Sequence, residues 1–255
     1  MMNFSIIIPW FGQDETRISH LNHLLDCLSI QDIPSDGEVL KYEILIVEQN
    51  SAEIKEKINI GEKTKLISLV TDNKLFNKSW CMNVGAKESK YDDLIFMDAD
   101  SLLGKDFLLV VRRNVRESSS PYNKLMFCWN YIIALYGKDN PISRHIRPDT
   151  TMAMGGAWYC YKDFYFNEFG GMNENYFGYG GEDNDAYERA RYLFNNSPPT
   201  MNYPLAHQYH DWVKASDTAM KFVITREHPK EIIERLLSAN LGNKNSPTII
   251  NMEDF

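Results

Sequence analysis

The sequence predicts an α/β fold, a Rossmann-like, mostly parallel twisted sheet flanked by helices, on three observations. Short continuous apolar runs at Phe4 to Pro9, Tyr42 to Glu48 and Asp93 to Met97 have the length and composition of buried strands. Stretches with helical apolar spacing lie between them. The 255 residues, with 44 % apolar and 24 % charged side chains, suffice for one large domain with a sizeable core.

The first run, FSIIIP, is rich in β-branched residues. Glu15 to Leu28 then places Ile18, Leu21, Leu24, Leu25 and Leu28 at helical spacing. YEILIVE forms the second strand, Lys65 to Val70 a third, and Trp80 to Glu88 a helix. DLIFM reads as a buried strand and Lys105 to Val115 as a helix. Repeated β-α units of this kind give a parallel sheet, whose ligands bind beyond the carboxyl ends of the strands.

The second half has a different pattern. Leu125 to Leu135 is expected as one strand, Gly137 to Thr150 as a polar loop and Gly155 to Tyr161 as a strand opened by glycines. Phe169 to Gly181 is expected as a loop, and Glu182 to Phe194 as a helix ended before Pro198-Pro199. Pro229 to Leu241 forms an amphipathic helix, and the tail after Gly242 is expected to be mobile. With no internal repeat and no linker, residues 1–255 read as a single domain. It divides into a nucleotide-binding half (1–120), a donor/acceptor and catalytic half (121–215) and a C-terminal helical extension with its tail (216–255).

A net charge of −8 argues against a general nucleic-acid binder, so no stable nucleic-acid partner is expected. Cys27, Cys81, Cys128 and Cys160 form no C-x-x-C pair and read as reduced thiols. The apolar run after Met1 is too short for a signal peptide or a membrane span, which predicts a cytoplasmic protein without a transmembrane segment.

Three motifs carry chemistry. Asp98-Ala99-Asp100 follows the buried run DLIFM, where two carboxylates can meet one ligand if the backbone turns. Hard oxygen ligands suit Mn²⁺ or Mg²⁺, which commonly bridge substrate phosphates. His207-Gln208-Tyr209-His210-Asp211 adds imidazoles that suit Mn²⁺, from a helical face or a turn. Phe177 to Asp185, FGYGGEDND, combines glycines that let backbone approach a ligand with aromatic faces that suit sugar rings. Glu182 and Asp183 open a helix there. The helix dipole favours the ionised carboxylate that a general base requires.

These pieces together resemble the β-1,4-galactosyltransferase family and its bacterial relatives with the glycosyltransferase A fold. The resemblance runs from IIIPWFGQDE and IVEQN through FNKSWCMNVGAKES and DLIFMDADSLL. It continues to MGGAWYCYKDFYFNEFGGMNENYFGYGGEDND and HQYHD. FGYGGEDND is close to the family's W-G-W-G-G-E-D-D-D, and N-x-G before the D-x-D also matches. The resemblance implies a metal-dependent, inverting glycosyltransferase that uses a UDP-sugar donor, UDP-Gal or UDP-GalNAc, and a glycan or other hydroxyl acceptor. It implies Asp183 as catalytic base. Pro9, Phe11, Glu48, Phe76, Lys78, Asp98 and Gly156 would bind the nucleotide sugar. Tyr179, Gly181 and Glu182 would hold the sugars, and Asp100, His210 and His207 would hold Mn²⁺ or Mg²⁺.

The chain departs from the family at Tyr179, where Trp is usual, and at Lys78, a point charge where Arg is usual. Trp10-Phe11-Gly12-Gln13 lacks the family's arginines. Ala153 is small where animal enzymes carry a bulky residue, leaving room for an N-acetyl group. The missing anchor points to a bacterial or viral enzyme of surface polysaccharide biosynthesis. Two other classes compete: a sugar nucleotidyltransferase and a non-catalytic carbohydrate-binding module. WFGQDETR lacks the glycine-rich basic loop of the first, and the second needs no D-x-D, remote His and Gly-Gly-Glu-Asp turn together.

Overall fold

The computed structural model describes residues 2–31, 40–128, 131–136, 142–146, 156–208 and 227–249. Strand β1 (Phe4–Phe11) pairs in parallel with β2 (Tyr42–Gln49) and with β4 (Asp93–Met97), and β3 (Thr64–Leu69) continues the sheet beyond β2. β9 (Ala157–Tyr161) runs antiparallel to β4, and β6 (Leu125–Phe127) closes the order β3-β2-β1-β4-β9-β6. A second sheet has the order β5-β10-β7-β8, from Ser101–Leu102, Pro204–His207, Tyr131–Tyr136 and Ile142–Ile146.

Strand alternation distributes β1 between two cores. Phe4, Ile6, Ile8 and Trp10 face α1 (Glu15–Ser29) and α3 (Phe107–Glu117). Ile7 joins Leu45 and Val47 against α2 (Lys78–Glu88) and α5 (Glu182–Phe194). Because both faces are covered, β1 is apolar at nearly every position instead of alternating. Gly85 brings α2 close to the sheet: a Cβ there would lie 2.5 Å from Ile7 Cγ2. Chain direction in the sheet order turns between β1 and β4, so the crevice beyond Phe11 and Met97 is the topological switch point.

Several boundaries differ from the sequence expectations. α2 begins at Lys78 instead of Trp80, because the Asn77 side chain caps it by accepting from Trp80 N. α3 is shifted to Phe107–Glu117, after Gly104. The apolar run 125–135 is two strands in two sheets, since apolarity cannot mark where a chain leaves one sheet for another. The expected loop 137–150 contains β8, antiparallel to β7. As an edge strand, β8 tolerates the polar composition that disguised it. A short helical turn α4 (Lys162–Phe164) runs into a π-type turn, Tyr165–Phe169, ended by Gly170 at φ 83°.

The C-terminal helix α6 (Pro229–Ser238) stops three residues early. The segment after it is not loose through Ile249. Gly242 N and Thr248 N donate to the Glu174 carboxylate, and Trp80 Nε1 donates to Asn243 O at 2.6 Å. Among the described residues no helix is long and apolar enough to cross a membrane.

Candidate active site

The ends of β1, β2 and β4 and the start of α5 converge at the switch point. Pro9 is buried within β1, and Phe11, at its end, stacks on Phe76 with ring centroids 5.4 Å apart. Glu48, opposite Trp10 on β2, is buried and accepts from Ser51 N. The Ser51 hydroxyl in turn accepts from Gly12 N at 2.8 Å, fixing the turn after β1. Gln49 reaches the next loop, accepting from Asn77 N at 2.8 Å and donating to Leu75 O at 2.9 Å. These bonds hold Phe76 and Lys78 at the rim of the crevice.

Lys78 is the hub of the site. Its Nζ lies 2.9 Å from Asp98 Oδ1, 3.2 Å from Asp183 Oδ2 and 3.5 Å from Glu182 Oε1. Burial works against the Lys78 charge, but Asp183, Asp98 and Glu182 outweigh it and hold its pKa well above the usual lysine value. One cation thus faces three carboxylates. Burial first, with Glu182 and Asp98 adding to it, holds Asp183 up at about 7 against the downward pull of Lys78. A carboxyl poised there changes charge in the range where a general base works best.

Glu182 and Asp183 reach this position through the glycines before them. Gly178, Gly180 and Gly181 have φ of 83°, 96° and 94°, conformations that residues with a Cβ rarely adopt. Gly178 N donates to Phe76 O at 2.7 Å, tying this loop to the segment before α2. Tyr179, between the glycines, is 44 % exposed and presents its ring at the surface.

The two carboxylates of Asp98-Ala99-Asp100 part company. Asp98 Oδ2 accepts from Gly156 N at 2.8 Å, while its other oxygen meets Lys78. Asp100 Oδ2 faces His207 Nε2 at 3.4 Å. The antiparallel pairing of β5 with β10 brings them together, with His207 opposite Ser101. His207 lies at a strand end, not on a helix. Carboxylate oxygen beside imidazole nitrogen is a donor pair that suits Mn²⁺ or Mg²⁺. Among the described residues no group of three or more such ligands is assembled. His210, the third expected ligand, lies outside the described residues, as does Ala153.

Residues 143–195 match the family model described as the N-terminal domain of galactosyltransferase. That span holds Gly156, the glycine turn, Glu182 and Asp183. In that segment the chain is similar to galactosyltransferases, and the match covers a minor part of its length. No curated protein matches its sequence. A Drosophila β-1,4-galactosyltransferase 7 mutant, solved with manganese, UDP-Gal and xylobiose, is 17 % identical to this chain with a TM-score of 0.54. The match covers 89 % of this chain and 81 % of that one. Staphylococcus aureus TarS 1-349 in complex with UDP gives 13 % identity and a TM-score of 0.53, covering 92 % of this chain and 70 % of that one. Against S. aureus TarS itself the figures are 15 %, 0.49 and 82 % of this chain, and this chain spans 37 % of that chain's length. At these identities the Drosophila structure and the UDP complex of TarS 1-349 speak for the shared fold.

Sequence reasoning gave no role to Gln49, Asn77, Asn83 or Glu174. Asn77 carried a readable signal, a cap residue directly before a helical run. Asn83 of the N-x-G motif is a brace: Oδ1 accepts from Tyr165 Oη and from Met172 N, and Nδ2 donates to Met172 O and to Glu174 Oε1. Neither Gln49 nor Glu174 had a local signal, since their partners lie 26 to 97 residues away.

Proposed function

We propose that the protein moves a hexose or N-acetylhexosamine from a UDP-sugar, UDP-Gal or UDP-GalNAc, to an acceptor hydroxyl with inversion at the anomeric carbon. The observation that carries this reading is the Lys78 ammonium, set between Asp98 at the end of β4 and Asp183 at the start of α5. It joins the side of the crevice where the diphosphate leaves to the side where the acceptor arrives. Phe11, Phe76, Pro9 and Glu48 frame the nucleotide end, with Gly156 beneath the donor sugar. Tyr179, Gly181 and Glu182 frame the acceptor end.

In this reading the Asp183 carboxylate takes the proton of the acceptor hydroxyl as its oxygen attacks the anomeric carbon. The bond from that carbon to the diphosphate breaks, and its electron pair goes to the departing diphosphate oxygen. Lys78 stabilises the negative charge that develops there. Asp100, His207 and His210 would hold Mn²⁺ or Mg²⁺, which when bound supplies further positive charge to the diphosphate. Support for the donor class comes from the Drosophila and S. aureus structures, whose own ligands include UDP-Gal with manganese, and UDP.

The test is UDP release from a panel of nucleotide sugars with Mn²⁺, with a glycan acceptor set, for the wild type and Asp183→Asn. The expected result is release with a galactose-type donor, lost in Asp183→Asn while UDP still binds. Full turnover by Asp183→Asn would remove Asp183 as the base, and no release from any donor would overturn the reading.

A further inference from the structure

Helix α2 gathers its bonding side chains on one stripe: Asn77 at the cap, then Trp80, Asn83 and Lys87. All four reach two segments remote in sequence. Asn77 Nδ2 donates to Glu174 O at 2.7 Å, and Asn83 Nδ2 to Met172 O at 2.7 Å. Trp80 Nε1 donates to Asn243 O at 2.6 Å, and Lys87 Nζ to Asn240 Oδ1 at 3.0 Å. The two segments are joined by one fully buried side chain, Glu174. Its Oε1 accepts from Gly242 N at 2.6 Å and from Asn83 Nδ2 at 2.8 Å, and its Oε2 from Thr248 N at 2.5 Å. Packing is tight at this junction: a Cβ on Gly242 would lie 2.8 Å from Asn83 O.

The catalytic scheme makes no use of this carboxylate, yet the arrangement requires one. An ionised carboxylate is acceptor-only and can satisfy three N–H donors together, whereas an amide would turn an N–H group toward one of them. The main-chain oxygen of the same residue holds Asn77, whose Oδ1 caps α2 one residue before Lys78. Lys78 is a flexible side chain whose contacts depend on where its backbone is fixed. Its ion pairs at 2.9 to 3.5 Å leave little room for the start of α2 to move.

We propose that Glu174 is a positioning residue for the donor site: it clamps residues 240–248 onto α2, so that Lys78 is held between Asp98 and Asp183. The inference rests on the reading of Lys78 as the diphosphate contact. It makes the C-terminal segment part of the transfer machinery through its bonds to α2.

The test uses the full chain with two variants. Thr248→Pro deletes one N–H donor of the clamp, and Glu174→Gln keeps the side-chain volume but replaces an acceptor oxygen. UDP binding with Mn²⁺ is followed by calorimetry, backbone hydrogen exchange is followed over residues 78–82, and thermal midpoints are recorded. Each variant is expected to weaken UDP binding about fivefold, the effect of one lost hydrogen bond, and to speed exchange in the first turn of α2. In a Lys78→Ala background the same changes are expected to leave UDP affinity where Lys78→Ala alone puts it. A lower thermal midpoint with unchanged UDP affinity in both variants would reduce Glu174 to a structural tie and overturn the proposal. Failure of the wild type to bind UDP is a separate outcome, visible in its own titration, and overturns the donor reading together with the inference built on it.

Discussion

As the proposed base, Asp183 should set by its charge the acid limb of the pH profile of sugar transfer. With its carboxyl at about 7, it is about one-tenth ionised at pH ~6 and about nine-tenths ionised at pH ~8. kcat/KM reports the free enzyme, so it should fall about tenfold per pH unit below about pH 7. A base at the ordinary carboxylate value of about 4 would leave the profile flat down to about pH 5. The assay is kcat/KM for the donor across this range in constant-ionic-strength buffers. Lys78→Met provides a second arm. Lys78 pulls the Asp183 value down, so its removal should move the limb to higher pH whatever it does to the height of the curve. A flat profile between about pH 5 and pH 8 would refute the assignment of a burial-raised base. Stability carries the opposite sign. Because the folded value lies above the unfolded one, the neutral carboxyl favours folding at low pH, and this contribution is lost as pH rises toward and through about 7. Asp183→Asn, neutral throughout, should therefore show a higher Tm than the wild type at pH ~8 while losing transfer.

Three further outcomes are expected. His207→Ala should weaken Mn²⁺ binding in the presence of UDP by about tenfold or more in calorimetry, and equal affinity would remove His207 from the ligand set. Gly85→Ala should cost about 1–3 kcal/mol in urea unfolding, because its Cβ would meet Ile7 Cγ2; a neutral result would mean α2 can lift from the sheet. Arg189 is fully buried, ion-paired with Asp185 at 2.9 Å and donating to Phe169 O and Gly171 O. Arg189→Leu should destabilise by about 3–5 kcal/mol, partly recovered by adding Asp185→Asn, since a lone buried carboxylate is the larger cost.

Strands β1, β2 and β4 were legible because both of their faces are buried, which writes each as a nearly continuous apolar run. Glu182 to Phe194 was placed to the residue, because the glycines before it and the prolines after it are strong local signals. The 125–135 run and strand β8 were misread for one reason: sheet membership depends on pairing partners far away in sequence. The tail after Gly242 was misread as far as Thr248, because the Glu174 carboxylate that holds it there lies 74 residues upstream.

By itself, the sequence determined the α/β layering, the glycine turn before Glu182 and Asp183, and the carboxylate pair after β4. Each is a local pattern of side-chain size, charge and backbone freedom. Only the tertiary structure decided how those groups divide the work. Asp98 and Asp100 are two residues apart, yet one turns to Lys78 and Gly156 and the other to His207. Lys78 and Asp183 are 105 residues apart and meet at 3.2 Å. Polar side chains bond to whatever the packed sheet and its loops bring within reach. That distance is set by strand order and helix packing, which no local spacing in the sequence records.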